Sequence, residues 1–254
     1  MMKNTIFAAL VCAFMFGSCK PTVTEDSFAV VAPPMGWNSF DSYGTYIYED
    51  AAMKNLEVFA ERLAPYGYKY FVIDAGWFGE YELVPGTLYP KEKHAKKLNI
   101  NEYGLLQPSK TYFPNGLQPV IKRCHELGLK FGLHIMRGIP RVSVEKNTPV
   151  KGTIYHARDI ADTTSICKWC SQNYGVDMTK PGAQEFYDSW IGQLADWGVD
   201  FIKADDIVPF PEEVEAVAKA IKKSGRDIVL SLSPGGRVDE SKLDFFKLGN
   251  MLRV

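Results

Sequence analysis

Residues 199–206 read Val199-Asp200-Phe201-Ile202-Lys203-Ala204-Asp205-Asp206, an apolar strand that ends in charged side chains. Successive side chains of an extended strand point to opposite faces, so Lys203 and Asp205 are predicted on one side and Asp206 on the other. Gly198 precedes the segment at a position typical of the end of a helix. The segment therefore predicts a strand that follows a helix and carries polar groups at its carboxyl end.

Short apolar runs alternate with amphipathic segments along the rest of the chain. Strands are predicted at residues 35–39, 70–74, 129–135, 199–204, 228–232 and 250–254. Helices are predicted between them at residues 51–63, 117–127, 182–197, 212–223 and 240–246. Thr179 is expected to cap the helix at 182–197, with Pro181 in its first turn. This alternation predicts parallel strands joined by right-handed crossovers.

Two architectures have such strands, the doubly wound sheet and the barrel. The sequence has neither the G-x-G-x-x-G motif of a dinucleotide-binding sheet nor a P-loop. Side chains able to bind or react with a ligand instead lie at the carboxyl ends of the predicted strands. A (β/α)8 barrel builds its active site at the face where these strand ends meet. They are Trp37, Asn38, Asp74, His134, Lys203, Asp205 and Ser233. The predicted fold is an α/β (β/α)8 TIM barrel over residues 32–254.

The barrel is expected to be incomplete. Only about six of the eight strands of such a barrel can be assigned. Long loops after the second and third strands use up much of the chain. An open barrel exposes two unpaired edges, so a barrel truncated in this way is expected to be poorly stable.

The composition excludes some classes of function. The chain has 254 residues, and its 29 basic and 30 acidic side chains are interspersed. Nucleic-acid binders usually show a basic excess or a basic stripe, so no nucleic-acid partner is predicted. Aromatic residues make up 13% of the chain, enough to line a sugar-binding cleft with flat apolar faces.

The first residues have the pattern of an export signal. Lys3 is followed by an apolar run at residues 5–17 that is too short to span a bilayer. Small residues then precede Cys19, as in the lipobox of bacterial lipoproteins. We expect a lipoprotein signal peptide at 1–18, lipidation of Cys19 and a tether at 19–31, with ordinary signal cleavage as the alternative. The predicted protein is exported and membrane-anchored, in the periplasm or at the cell surface.

Cys167-Lys168-Trp169-Cys170 has the spacing of a redox motif. It falls in a predicted long polar loop and lacks the βαβ setting of a thioredoxin-like site. In an exported protein, Cys167 and Cys170 are expected to form a local disulfide. No second Cys/His pair has the spacing of a zinc site, so neither a metal nor a cofactor is predicted.

The densest group of reactive side chains is at the end of the strand quoted first. Lys203 and Asp205 are expected to hold each other ionised, and the ammonium keeps the pKa of the carboxyl low enough for a nucleophile. A structural ion pair and a Schiff-base lysine remain alternatives. Asp74 follows an apolar strand and needs a partner or a substrate. His134 and Arg137 either line the site or cap a loop.

Six motifs stand in order along the chain: Ala32-Pro33-Pro34-Met35-Gly36-Trp37-Asn38-Ser39-Phe40, Ile73-Asp74-Ala75-Gly76-Trp77, Phe113-Pro114-Asn115-Gly116-Leu117, Gly128-Leu129-Lys130-Phe131-Gly132-Leu133, Trp197-Gly198-Val199-Asp200 and Lys203-Ala204-Asp205. Together they resemble glycoside hydrolase family 27, which contains α-galactosidases and α-N-acetylgalactosaminidases. The resemblance spans residues 32–254. The opening motif and the Lys-x-Asp strand make it specific.

This resemblance implies a retaining exo-glycosidase that cleaves terminal α-galactosides or related glycosides. It implies that Asp205 is the nucleophile of a covalent mechanism and that Asp74 and Lys203 bind sugar hydroxyls. Trp37 is implied as the aromatic wall of the sugar subsite, with a core aromatic as the alternative. The rest of the predicted substrate-binding set is His134, Ser233 and Arg253.

The sequence departs from the family pattern at several positions. Ala75 replaces a second acidic residue, so a pentopyranose such as β-L-arabinopyranose, which lacks the exocyclic carbon, is a candidate substrate. Residues 206–207 lack the cysteine that the family often bridges to the loop after the third strand. Ser233 is small enough to leave room for a 2-acetamido group. Arg253 resembles the arginine before the acid/base aspartate, which is expected beyond Val254.

Two classes of function remain open. The first is a lipoprotein glycoside hydrolase seen as an N-terminal fragment, which is expected to be inactive alone because it lacks the acid/base. The second is a non-catalytic carbohydrate-binding lipoprotein that keeps Trp37, Asp74 and Lys203. Either would bind an oligosaccharide or glycoside, and either would be attached to a membrane by its lipid anchor.

Overall fold

The computed structural model describes residues 32–233 and 239–253. The predicted signal peptide, the tether up to residue 31 and the lipidation site Cys19 lie outside these residues. Within the described ranges, no helix has the length and apolar character needed to cross a membrane.

The secondary structure alternates as expected. The strands are β1 (Gly36–Asn38), β2 (Tyr70–Ile73), β3 (Gly79–Glu80), β4 (Lys97–Leu98), β5 (Lys130–Met136), β6 (Ile139–Pro140), β7 (Ala161–Ile166), β8 (Asn173–Val176), β9 (Phe201–Asp205), β10 (Val229–Ser233) and β11 (Met251–Leu252). The α-helices are α1 (Phe40–Tyr43), α2 (Glu49–Arg62), α3 (Gln118–Glu126), α4 (Arg141–Lys146), α5 (Ala157–Ile160), α6 (Ala183–Trp197), α7 (Pro211–Ser224) and α8 (Leu243–Phe246).

The central sheet is parallel and has the strand order β1-β2-β5-β9-β10-β11. This is also the order of these strands along the chain. A doubly wound sheet reverses its order at a switch point, whereas a barrel adds each strand on the same side of the previous one. The sheet is therefore part of a barrel, and the predicted fold is confirmed.

The predicted elements of the sheet and its helices are present, with ends displaced by one or two residues. The predicted helix at 240–246 is a 3-10 turn at Glu240–Lys242 followed by α8. The prediction that Thr179 caps α6 is wrong, because the helix starts at Ala183, after Gly182. The hydroxyl and the amide of Thr179 instead donate hydrogen bonds to Asp177 Oδ1, at 2.6 and 3.0 Å, and close a turn before the helix.

The segment between β5 and α6 is more ordered than the sequence indicated. The predicted polar loop contains a three-stranded antiparallel sheet with the order β6-β8-β7, and the helices α4 and α5. Its longest strand, β7, reads Ala161-Asp162-Thr163-Thr164-Ser165-Ile166 and has no apolar alternation. The sequence of β7 therefore gives no sign of the small sheet, although Ile139 of β6 and Val176 of β8 are buried in the main core.

The two faces of the central sheet are packed differently. The face toward the helices carries large apolar side chains, such as Phe71 and Ile202, that belong to the main core. Among the described residues, the inner face holds a small apolar cluster of Val72, Phe201 and Val229. A cavity of about 390 Å³ lies on this side, lined by residues of β1 and β11. Most of the buried apolar area is therefore between the sheet and its helices.

Asp200 joins three elements at the amino end of the sheet. It is 4% exposed. Its carboxylate lies 2.8 Å from His125 Nε2 of α3 and accepts hydrogen bonds from the Phe131 amide of β5 at 2.9 Å and from Arg226 Nη2 at 2.7 Å. A buried carboxylate with three partners is costly to disturb, because each partner would lose a charge-assisted hydrogen bond.

We predict that Asp200→Asn lowers the free energy of unfolding by about 2 kcal/mol, since it removes the charge that faces Arg226 and His125. Urea unfolding followed by circular dichroism measures the change. The control is Asp50→Asn, which breaks an exposed pair with Lys54 on α2 and should hardly move the midpoint. Equal midpoints for the two variants would contradict the role assigned to Asp200.

Candidate active site

Asp205 lies at the carboxyl end of β9 and is 8% exposed. Its Oδ2 is 3.0 Å from His134 Nε2 and 3.3 Å from Lys203 Nζ. Burial by itself would raise the pKa of this carboxyl. The hydrogen bond and charge of His134, together with the charge of Lys203, outweigh burial and hold the pKa well below its usual range. Asp205 is therefore ionised at neutral pH.

The parallel register brings these side chains together. His134 of β5 lies opposite Lys203 of β9, and Ser233 of β10 lies opposite Asp205. Lys203 and Asp205 are two residues apart on one strand and share a face, as the sequence predicted. Three neighbouring strands thus place polar side chains at the same end of the sheet.

Asp74 follows β2 and is 1% exposed. Its Oδ2 accepts hydrogen bonds from Asn38 Nδ2 at 2.6 Å and from Lys203 Nζ at 2.9 Å. Its Oδ1 accepts one from the Ala75 amide at 2.8 Å. Burial would raise the pKa of Asp74, but the charges of His134 and Lys203 and these hydrogen bonds lower it. This carboxyl is therefore an acceptor for hydroxyl groups rather than a proton donor.

Lys203 contacts both buried carboxylates. A Schiff-base lysine must be uncharged to attack a carbonyl group. Carboxylates at 2.9 and 3.3 Å from Nζ stabilise the charged ammonium instead. The Schiff-base alternative is therefore disfavoured, and Lys203 is suited to binding hydroxyl groups and fixing Asp205.

A pocket of about 450 Å³ opens above these groups. The buried polar side chains form its floor, with the half-buried Ala75 beside Asp74. The pocket walls include Phe40, Phe78, Tyr81 and Met136. More exposed residues form an outer rim: Pro90, Glu92, Lys93, Trp169 and Arg253. Buried side chains thus lie at the reactive end of the pocket and exposed ones at the rim, which suits the end of a ligand rather than its middle.

Asp74, His134 and Asp205 place one ligand atom each within 4.8 Å of one another, a spacing that a metal ion could use. Lys203 Nζ already lies 2.9 Å from the Asp74 carboxylate and 3.3 Å from the Asp205 carboxylate. A second cation there would be repelled by the ammonium. We therefore assign these residues to an organic substrate.

Among the described residues, the aromatic wall of the main pocket is formed by residues other than Trp37. Trp37, expected in the sugar subsite, stacks on Phe71 with ring centroids 4.8 Å apart and meets the edge of Tyr43. It lies opposite Phe71 in the register of β1 and β2 and packs toward the helices, and it also lines the second, 390 Å³ cavity. Phe40 lines the pocket instead, with its ring centroid 5.7 Å from Lys203 Nζ. The Phe40 amide donates to Asn38 Oδ1 at 2.8 Å in the turn after β1.

Ser233 and Arg253 lie on the side of the second, 390 Å³ cavity. Arg253 also lines the main pocket, whereas Ser233 is not among the lining residues found there. Ser233 is buried opposite Asp205, and its hydroxyl adds to the lowering of the pKa of that carboxyl. The sequence left open whether His134 lines the site or caps a loop. In the structure His134 is part of the pocket floor.

Asp206 belongs to a different network from Asp205. Its φ of 60° is left-handed, and its Oδ2 accepts hydrogen bonds from Arg137 Nη2 and Nε at 3.1 and 3.2 Å. Arg137 Nη1 donates to Glu213 Oε1 at 2.7 Å, and the ring of Phe210 lies 3.5 Å from the guanidinium carbon. Arg137 is 4% exposed and holds the loop after β9. The sequence allowed Arg137 either to line the site or to cap a loop, and this geometry supports the role in the loop.

Cys167 and Cys170 are free thiols, so the structure does not show the predicted disulfide. Hydrogen bonds from neighbouring residues hold their segment instead. The Ser171 amide donates to the Lys93 carbonyl at 3.0 Å, and Lys93 Nζ donates to the Lys168 carbonyl at 2.8 Å. Burial raises the pKa of the Cys167 thiol to about 11, so it is un-ionised at neutral pH.

Glycoside hydrolases bind the end of a sugar chain in a pocket with ionised carboxylates on its floor, and in barrels this pocket lies at the carboxyl edge of the strands. The fold and the site together fit this class. The comparison with protein families agrees, because the profile of the Melibiase family matches residues 17–223. The chain belongs to this family, glycoside hydrolase family 27.

Relatives and solved structures extend this result. An α-galactosidase of Schizosaccharomyces pombe is 27% identical over 216 residues, which are 80% of this chain and 37% of the relative. A β-L-arabinopyranosidase of Geobacillus stearothermophilus, solved with arabinose, is 44% identical with a TM-score of 0.78, over 87% of this chain and 53% of that one. A protein of Bacillus halodurans described as a putative α-N-acetylgalactosaminidase is 41% identical with a TM-score of 0.71. The match covers 85% of this chain and 53% of that one. The chain thus spans about half or less of these relatives.

We predict that His134→Gln raises the pKa of Asp205 toward its ordinary value of 3.8, because a neutral amide removes the positive charge beside the carboxylate. As pH falls through the folded-state pKa, the stability contributed by ionised Asp205 is lost, and this loss should begin at higher pH in the variant. Carbon-13 NMR of the aspartate carboxyls measures the titration.

The control is His94→Gln, since His94 is exposed and contacts Ser171. It should leave the titration of Asp205 unchanged. An unaltered Asp205 midpoint in His134→Gln would contradict the role given to His134.

Proposed function

We propose that this protein is a retaining exo-glycosidase with Asp205 as its nucleophile, and that terminal β-L-arabinopyranosides are its preferred substrates over α-galactosides. The observation that carries the proposal is the buried Asp205 carboxylate, kept ionised by Lys203 and His134 at the closed end of a pocket. A carboxylate in this state can attack an anomeric carbon without first losing a proton.

In the proposed reaction, Asp205 forms a bond to the anomeric carbon while the bond to the leaving oxygen breaks. Asp74 and Lys203 hold hydroxyl groups of the sugar through the sites that they offer on the pocket floor. The second carboxyl group of such an enzyme protonates the leaving oxygen, and its carboxylate then takes a proton from the water that displaces Asp205 from the covalent intermediate. In the second step the negative charge returns to the Asp205 carboxylate beside Lys203 and His134, which favours the carboxylate as a leaving group.

The second carboxyl group of a retaining glycosidase must donate a proton, so its pKa must exceed that of the nucleophile. Asp74 does not suit this role because its pKa is lowered. The other carboxylate lining the described part of the pocket is Glu92, on the exposed rim. We propose that the acid/base lies in sequence following Arg253 and that the 254-residue chain alone is inactive. Glu92 is the alternative.

Ala75 supports the choice of a pentopyranoside. Its methyl group lines the pocket beside Asp74 and cannot accept a hydrogen bond. β-L-Arabinopyranose lacks the hydroxymethyl group of galactose and therefore has one hydroxyl fewer to satisfy. A pocket with one acceptor fewer therefore loses no binding free energy with arabinopyranose. The additional hydroxyl of galactose would be buried without a partner there, which is costly. The 44% identity to the arabinopyranosidase of Geobacillus stearothermophilus favours the same choice.

The activity is best tested on the protein expressed from its gene to the natural stop codon, called the gene-encoded protein below. We predict hydrolysis in a panel of nitrophenyl β-L-arabinopyranoside, α-galactoside and α-N-acetylgalactosaminide, with the first cleaved fastest. Asp205→Asn should lower kcat by at least about a thousandfold while sugar binding is largely kept, because the nucleophile is lost and the hydroxyl contacts remain.

Mass spectrometry after reaction with a slow fluorinated glycoside should place the covalent sugar on Asp205, and a label on Asp206 would refute the assignment. Glu92→Gln should retain activity; a loss equal to that of Asp205→Asn would assign the acid/base to Glu92. Sugar binding without turnover by the unsubstituted protein would favour the non-catalytic carbohydrate-binding alternative.

We predict that Ala75→Asp shifts preference from arabinopyranoside toward galactoside by about tenfold in the ratio of kcat/KM values, since a carboxylate acceptor can satisfy the additional hydroxyl. The panel above measures the ratio. Ala75→Val is the matched control, because it adds volume without an acceptor. An equal shift in both variants would show that size, rather than hydrogen bonding, decides.

We further propose that the protein is exported and anchored to a membrane through Cys19. The support is the sequence alone, namely the apolar run at 5–17, the small residues before Cys19 and the polar segment after it. Metabolic labelling with a radioactive fatty acid tests this, since label that persists in Cys19→Ser would exclude this anchor.

A further inference from the structure

The outer rim of the pocket is built from two loops that are bonded to each other. One loop carries Glu92 and Lys93, and the other is the Cys167–Cys170 segment. Besides the bonds between Lys93 and Lys168 and between Lys93 and Ser171, Gln172 Oε1 accepts hydrogen bonds from the Ala95 amide and the Tyr81 hydroxyl, both at 3.1 Å. The rim is therefore a defined part of the pocket.

Trp169 is the large aromatic side chain of this rim. It is 47% exposed and lines the same pocket as Asp205. The residues that flank it are anchored, since Cys167 is 6% exposed and the Lys168 carbonyl accepts a hydrogen bond from Lys93. An indole with an open apolar face on an anchored backbone has less conformational freedom to lose on ligand binding than one on a mobile loop.

The segment also stands next to the nucleophile. Burial and the nearby carboxylates of Asp205 and Asp206 raise the pKa of the Cys170 thiol to about 12. Cys170 lines the pocket directly beside Trp169 in the chain. Trp169 is thus placed just outside the floor where Asp205 acts, on the open side of the pocket.

This position determines which part of a glycoside can reach Trp169. The terminal sugar occupies the closed end, where Asp74, Lys203 and Asp205 supply its polar contacts. Its leaving group must extend toward the opening, because the floor is closed by buried side chains. A pyranose ring has a face of C–H groups that matches an indole, and its hydroxyls can reach the exposed carboxylate of Glu92 on the same rim.

We propose that Trp169 is the platform of a leaving-group subsite that binds a sugar ring, so that the substrates are disaccharides or longer glycosides rather than simple alkyl glycosides. This inference rests on the proposed glycosidase activity and extends it from the terminal sugar to its neighbour. An aromatic leaving group is the competing occupant.

The test compares substrates that share a terminal sugar but differ in the leaving group, using the gene-encoded protein. One pair is methyl α-D-galactopyranoside and the disaccharide melibiose, and the corresponding pair carries β-L-arabinopyranose. Trp169→Ala should lower kcat/KM for the disaccharides by about tenfold and change it less than about twofold for the methyl glycosides. Trp169→Phe should restore much of the loss, because a flat apolar face remains.

The matched control is Tyr66→Ala, which removes an aromatic ring that is 77% exposed and lies in the 3-10 turn Ala64–Tyr66 before β2. It should leave both substrates unchanged. Equal losses on methyl glycosides and disaccharides, or no loss on either, would overturn the subsite. A selective loss on nitrophenyl glycosides alone would assign the subsite to aromatic groups and overturn the sugar assignment.

Failure of the proposed activity gives a different result, namely no hydrolysis of any of these substrates by the unsubstituted protein. In that case, isothermal titration of melibiose and methyl galactoside still decides the subsite. The subsite is supported if the unsubstituted protein binds melibiose more tightly than methyl galactoside and Trp169→Ala does not. Equal affinities of the unsubstituted protein for the two sugars would overturn the subsite.

Discussion

Two carboxylates buried side by side are the constraint on which the rest of the site depends. Asp74 and Asp205 are 1% and 8% exposed, and each would be costly to bury without a partner. Lys203 Nζ contacts both, and His134 adds a second partner to Asp205. These four residues come from or directly follow three adjacent strands, so the charges can be balanced only when β2, β5 and β9 are in register. The same contacts that satisfy the fold leave Asp205 ionised.

The parts of this arrangement that were predictable follow from local rules. An apolar run predicts a strand, and the alternation of its side chains placed Lys203 and Asp205 on one face. Asp74 was identifiable because a carboxylate after an apolar strand needs a partner. Both signals lie within a few residues of chain, and the barrel places their ends together because parallel strands share one carboxyl edge.

The parts that were not predictable depend on pairings between distant segments. Trp37 and Phe40 stand three residues apart, and the register of β1 against β2 together with the turn at Asn38 decides that Phe40 reaches the pocket. Arg137 gave no local sign of its bond to Asp206, because a left-handed residue turns that carboxylate away from its neighbour. The small sheet that supports Trp169 likewise has no apolar alternation to reveal it.

Asp205 and Asp206 are adjacent in the chain but have separate functions because their partners differ. Asp205 faces Lys203 and His134 at the pocket floor, whereas Asp206 faces Arg137 behind it. An environment that keeps a carboxylate ionised also prevents it from acting as an acid. The positive charge that keeps Asp205 ionised lowers the pKa of Asp74 as well, so a proton donor for the proposed reaction has to stand farther from Lys203 and His134. The open side of the pocket, toward the rim and Arg253, is where such a carboxyl group could remain protonated while a leaving group is bound beside Trp169.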